Sequence, residues 1–418
     1  MIRRAALSLG ALVLVVAVAV GLALISPLRK PASEVIELPR STSLTCAVAG
    51  TALIGGSGEV TVTGLDGAER SVVAPAADPL TGPAELRAES RISGGVLLAQ
   101  PQPAYAPCGT PATSGIVLVP DPSTVELLLV NTDPTEAAVD LTLLGPEGEV
   151  AAVGARGIAL APGVSRRVAL SVLAPAGPLG VVFDASQGRV AVMATGVEGR
   201  PALVSPMTTV ATEHLLAGAP AGATATRLLV TNPHEDRVDI ALEGLGPAGP
   251  YVPAVAESLS IPAMTTITVD LTAPLAGEAT AVRVTAPEAV GAALVTGGAG
   301  SPATVVAGQL GADLAGLVPG SGTLHLSNPS RSDAVAAEVT LTPIGGTAAT
   351  QQVTVEPGHT AAVAVPAGDP VVVSVTADGE LIAGASTVGP AGTVVVPLGP
   401  AADAPTQTLP AELQPGLR

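Results

Sequence analysis

Three asparagines, the only ones in 418 residues, fall in one recurring motif: LLLVNTDP at Asn131, LLVTNP at Asn232 and LHLSNP at Asn328. They are spaced 101 and 96 residues apart, a domain-sized interval. A proline closing a further strand follows each at nearly the same offset: Pro162 in ALAPG, Pro262 in LSIPA and Pro357 in VTVEPG, at +31, +30 and +29. Two coincident registers define an internal repeat. A fold with one core is thereby excluded, and the chain must be a series of similar units of about 100 residues.

Within each unit apolar and polar residues alternate over four to eight positions, rich in Val, Leu and Thr and bounded by Gly-Pro, Asp-Gly or Gln-Gly. This is the pattern of half-buried antiparallel strands. Strand and turn follow each Asn, as in VDLTLLGPEGEV and VDIALEGLGPAG. Each unit then closes on GVVFDASQGRVAVMA, AVRVTAPEAVGAALV or VVVSVTADGELIAGA, which read as hairpins. Six or seven short strands per 100 residues predict an all-β chain of tandem immunoglobulin-like antiparallel β-sandwiches, lacking the usual core Trp and inter-sheet cysteines. A propeller-like β repeat array is the alternative, although small blades repeat every 40–50 residues. The expected boundaries are 111–212, 213–308 and 309–398 for the three repeats. Residues 41–110 are expected to form a shorter, diverged first unit without the Asn-Pro element, and 399–418 a disordered tail.

Ahead of the repeats, residues 5–26 (AALSLGALVLVVAVAVGLALIS) are uncharged and almost wholly apolar. As a helix they would extend about 33 Å, enough to cross a bilayer. Arg3 and Arg4 predict that leader 1–4 stays cytoplasmic and the bulk is exported. The apolar run exceeds a signal-peptide core, and Pro27, Leu28, Arg29 and Lys30 follow it without a small-residue cleavage site. An uncleaved signal anchor with a linker at 27–40 is therefore expected, secretion after cleavage being the alternative. In an oxidising compartment the only two cysteines, Cys46 and Cys108, are expected to form a disulfide within the first unit; free thiols or a metal pair are the competing reading.

Composition narrows the function. Beyond residue 40 there are 13 arginines against 33 acids, a balance of −20 that repels nucleic acid and anionic headgroups. Phe183, Tyr105 and Tyr251 are the only aromatics, too few for stacking platforms on bases or sugars. No Gly-x-Ser-x-Gly pentad occurs, and the only lysine, Lys30, lies beside the apolar segment. The four histidines, His214, His234, His325 and His359, are at least 20 positions apart. His234-Glu235-Asp236 is the densest polar cluster, but the other repeats place Asp133 to Glu136 and Ser330 to Asp333 there, so a solvated turn is the expectation. His325 reads as structural and His359 as exposed. No cofactor, metal or catalytic residue is assigned. The repeated Asn needs no ligand, because it can bond backbone two residues on while Pro blocks helix.

The L-x-L-x-N-P triplet, the following V-D-x-x-L strand, the strand ending in Pro-Gly and the closing segment resemble an actinobacterial family of anchored or secreted proteins, domain of unknown function 5719, over residues 41–400. The two cysteines also resemble that family's pattern. The resemblance implies location and β architecture and no activity. The expected function is a noncatalytic, membrane-anchored extracytoplasmic envelope protein, a stalk-like scaffold or binding module for cell-wall polymer or a protein partner, touching the membrane through residues 5–26. The alternatives are an accessory subunit of an envelope glycan-assembly or export complex and, third, an unrecognised hydrolase.

Overall fold

The computed structural model describes residues 34–37, 42–98, 102–174, 176–197, 203–256, 259–275, 277–297, 300–400 and 408–411. The expected membrane segment 5–26 and most of linker 27–40 lie outside these residues; among those described, no helix is long and apolar enough to cross a membrane. The chain divides into two compact bodies. In the smaller one Glu34–Glu37 pairs antiparallel with Thr408–Ala411. The larger, residues 41–403, is almost entirely antiparallel β among the described residues, where helix is confined to single turns such as Leu170–Leu173 and Thr272–Leu275. Gly399–Pro400, placed by sequence in the tail, pairs with Leu314 and Ala315.

The second unit shows the repeat in its plainest form. One sheet carries Ser114–Val119, Leu179–Gln187 and Ala137–Gly145, flanked by the short Gly148–Val150 and Ile158–Leu160. The other carries Val164–Ala169, Val125–Asn131, Ala191–Gly196 and Val204–Pro206. Alternate residues of both, among them Val117, Leu127, Leu141, Val181 and Val192, meet in one buried cluster. The longer strands thus alternate between sheets as far as Ala191–Gly196, which keeps Val204–Pro206 in its own sheet.

The closing segments are not hairpins. Leu179–Gln187 pairs with Ser114–Val119 and Ala137–Gly145, whereas Ala191–Gly196 pairs with Val125–Asn131 in the opposite sheet. In the third and fourth units the two halves are one continuous strand, Thr280–Gly297 and Val371–Gly389, passing from one sheet to the other. Asp378-Gly379 sits inside this crossing strand, where Asp378 Oδ1 accepts from the Ala336 N–H at 2.8 Å. Asp66-Gly67, in contrast, is a true hairpin tip between Gly50–Gly64 and Glu69–Leu80.

The first unit has the same pairing with fewer breaks. Gly50–Gly64 serves as two strands, pairing with Ile92–Leu98 along its first half and Ala84–Ala88 along its second. Its register shifts between Ile54 and Gly58, where the other units carry the Asn turn. Gly56 and Gly58, at φ 115° and 91°, provide backbone that other residues do not adopt.

The four units close into a ring rather than extending as a stalk. Their last strands, Ala104–Pro107, Val204–Pro206, Ala303–Val305 and Gly392–Pro397, touch in a cycle, first to second to third to fourth and back to first. Leu97 and Tyr105 of the first unit pack on the core of the fourth.

Candidate functional site

Each repeated asparagine is fully buried where the chain leaves one sheet for the other. Asn131 Nδ2 donates to the carbonyls of Thr135 and Leu160, at 2.8 and 3.1 Å, and its Oδ1 accepts from the Asp133 N–H at 3.0 Å. Asn232 repeats this with Asp236, Ile261 and His234 at 2.7, 3.2 and 3.0 Å. Asn328 does so with Asp333, Val355 and Ser330 at 2.8, 2.9 and 2.9 Å. One side chain thus closes its own turn and ties it to the strand about 30 residues later, satisfying carbonyls that burial would otherwise orphan. Its hydrogen-bonding capacity is spent inside the protein.

The prolines mark the return turn, and the register separates them. Val164 faces Asn131 and Thr265 faces Asn232, so Met264 occupies the place of Gly163. Gly163 and Gly358 have φ of 68° and 71°, and Met264 has φ 53°, left-handed without being glycine. Pro162 and Pro357 therefore correspond, while Pro262 stands one position earlier.

Cys46 and Cys108 are joined by a disulfide, with Cα atoms 4.3 Å apart. It clamps the end of the first unit's opening strand to the residue after its last one. Reciprocal bonds between Thr45 and Gly109, at 2.8 and 3.1 Å, continue the clamp along the backbone.

The histidines do not converge. His234 of the polar cluster turns back to the Ala289 carbonyl, 2.8 Å from Nε2, while Glu235 and Asp236 face solvent. His214 is buried with Nε2 2.7 Å from the Val290 carbonyl, and desolvation holds its pKa below the usual histidine value. His325 is buried beside Ser386, Nε2 to Oγ 2.6 Å, and burial pulls its pKa down to about 4. A serine and a histidine at this distance have the first two groups of a nucleophilic site. Here both are in the core, and His325 Nδ1 has no partner to orient it. His359 is half-buried rather than exposed: a side chain at Gly249 of the third unit would meet its ring at 3.3 Å. Among the described residues no three of His, Cys, Asp and Glu are placed to hold a metal ion.

Sequence reading missed one charged group. Arg283, 6% exposed, pairs with Glu243 at 2.5 Å and Glu213 at 3.1 Å and donates to the Pro329 carbonyl of the fourth unit's Asn turn. Arg331 approaches Glu243 at 3.4 Å. The partners lie 40 or more residues apart, so no local motif signals them. A buried guanidinium beside two carboxylates and a carbonyl is a structural tie between units, with Nε near Glu213 in an ion pair but in no hydrogen bond. The hairpin tip at Asp66 borders a shallow cavity of about 200 Å³ lined by Leu65, Asp66, Arg70 and Thr81, where Arg70 is already paired with Asp78.

Comparison with known proteins places the chain without assigning an activity. No curated protein matches it. A crystal structure of a tetra-tandem repeat in the extending region of a large adhesion protein aligns over 89% of this chain and 98% of that chain, at 11% identity and a TM-score of 0.09. The pattern of a family of unknown function covers residues 104–366, from the last strand of the first unit to the end of the fourth unit's return strand. The chain belongs to that family, DUF5719.

Proposed function

We propose that this protein is a noncatalytic, membrane-anchored scaffold of the cell envelope, whose ring of β units faces outward as a binding module for wall polymer or a partner protein. The observation carrying this reading is the buried disulfide between Cys46 and Cys108 at the seam of the first unit, a bond that belongs to an oxidising compartment. The apolar run 5–26 with Arg3 and Arg4 before it supports a signal anchor, N-terminus inside. The polar groups that could do chemistry are engaged in structure: the asparagines in their turns, Arg283 between units, His325 and Ser386 in the core.

The test is capture by the soluble ectodomain, residues 41–418, of purified wall polymer and of solubilised envelope proteins, with glycan analysis and mass spectrometry of what is retained. Saturable retention of polymer, or of one defined protein, is the expected result. Turnover of the polymer, or capture only by the full-length chain with its apolar segment, would overturn the reading; the latter would favour an accessory subunit held through the membrane.

A further inference from the structure

Every β-sheet that ends in an unpaired strand exposes a row of N–H and C=O groups that another strand can complete, and proteins usually guard such edges with proline, charge or interruption. The four units allow an internal comparison. In the first, the edge strand Glu69–Leu80 carries Pro75 and Pro79. In the second, the edge of one sheet is broken into Gly148–Val150 and Ile158–Leu160, and the edge of the other, Val164–Ala169, carries Arg166 and Arg167. In the third, the corresponding edges are the broken pair Gly249–Tyr251 and Leu259–Ile261 and the strand Thr265–Asp270, whose Thr266 Oγ1 donates to the Leu144 carbonyl of the second unit at 2.7 Å.

The fourth unit departs from this. Ala349–Val355 (ATQQVTV) is one uninterrupted strand paired along its whole length with Val335–Leu341 and ending its sheet on the other side. It has no proline and no charge, and Ala349, Thr350, Gln351, Gln352 and Thr354 are exposed. Thr350 bonds Thr340 at 3.1 Å, and Gln352 Nε2 donates to Glu338 at 2.8 Å, so the edge is held straight from within its own sheet. The neighbouring edge Thr360–Val365 is also uncharged, but it starts buried against the third unit, Thr360 Oγ1 donating to the Leu245 carbonyl at 2.6 Å.

We propose that Ala349–Val355 is a strand-addition site for an extended, β-branched, basic peptide segment of a partner protein. The main chain supplies the affinity and alternate side chains the selectivity. The sign of the partner follows from charge: residues 309–398 hold seven acids (Asp313, Asp333, Glu338, Glu356, Asp369, Asp378 and Glu380) against one base, Arg331, which is engaged by Glu243. A second copy of the chain would bring two net charges of −17 together, which disfavours self-pairing. The proposal deepens the binding-module reading by naming one contact and its chemistry.

The test uses the full-length chain in detergent and a fluorescein-labelled eight-residue peptide alternating threonine, valine and lysine, followed by fluorescence anisotropy and amide hydrogen exchange. Saturable binding is expected, with exchange slowed at residues 349–355. Thr350→Lys with Thr354→Lys, exposed changes that restore a guard, should weaken binding by at least about tenfold, while Arg166→Thr in the second unit leaves it unchanged. No saturable binding, equal binding of the double variant, or equal binding of a peptide with glutamate for lysine would overturn the proposal. So would a dimer in sedimentation that the lysine variant turns to monomer, since the occupant would then be a second copy. Retention on wall polymer is independent of this peptide, so failure here is distinguishable from failure of the binding-module reading.

Discussion

At the residue scale, the asparagines show how one side chain fixes a turn, a strand end and a sheet crossing together. Removing Asn232 with alanine leaves the buried Ile261 carbonyl and the part-buried Asp236 carbonyl and His234 N–H without their partner. Orphaned buried groups of this kind cost about 1–3 kcal/mol each, so Asn232→Ala should lower stability by about 3 kcal/mol in urea unfolding. Met264 is the opposite case. Its left-handed backbone is where its counterparts are glycine, and relieving it outweighs the added freedom of the unfolded chain. Met264→Gly should raise the unfolding free energy by about 1 kcal/mol. His325 gives a pH signature. Its folded pKa, about 4, lies below the ordinary histidine value, so the fold holds the neutral form. The associated stability is present above pH 6.5 and falls away as pH drops toward 4. Between pH 7.5 and 5 it should amount to about 2 kcal/mol. His214 contributes with the same sign, so the readout is the difference in pH dependence between the unmodified protein and His325→Asn. Equal slopes in the two would show that His325 is not titrating as its burial requires.

At the element scale, what was legible in sequence was local. Strand alternation and the Asn turn each depend on residues within a few positions, and the structure has both. The closing segments were misread because Gln187-Gly188 and Asp378-Gly379 carry the same turn residues whether a chain reverses or bends into the opposite sheet. Only the pairing partners, about 30–70 residues away, decide between the two. The first unit makes the same point from the other side. It has no Asn-Pro turn, and its strand runs on through both sheets by way of Gly55, Gly56 and Gly58. A Cβ at Gly56 would lie 2.7 Å from the Arg91 carbonyl oxygen, with φ at 115°, whereas Gly67 at the hairpin tip has open space around it. Gly56→Ala should therefore cost about 3 kcal/mol and Gly67→Ala only about 1 kcal/mol, read by thermal unfolding. Similar losses at both would mean that the crossing does not depend on its glycines.

At the scale of the whole molecule, closure could not be read from the chain, because it rests on contacts between units that no periodicity encodes. Each junction has an apolar part beside its hydrogen bonds. Leu128, Val130 and Met193 of the second unit lie in the core of the first; Leu229 and Ala293 of the third lie in that of the second. Val395 of the fourth joins the core of the third, and Leu97 and Tyr105 of the first cover that of the fourth. Tyr105 is burdened accordingly, burial pushing its phenol pKa upward. In an open tandem array an end unit can unfold while the others stand, and independent domains melt separately. In a ring with four partly apolar junctions, losing any unit exposes two cores, so the melting of residues 41–403 should be a single calorimetric transition whose van't Hoff and calorimetric enthalpies agree. The disulfide closes a loop spanning 62 residues, and in the chain-entropy account its reduction removes about 4 kcal/mol. That loss should move the whole transition, because the first unit is part of every other unit's support. A scan under reductant in which one fraction of the enthalpy shifts and the rest stays in place would show that the units stand alone and that the ring is only their arrangement.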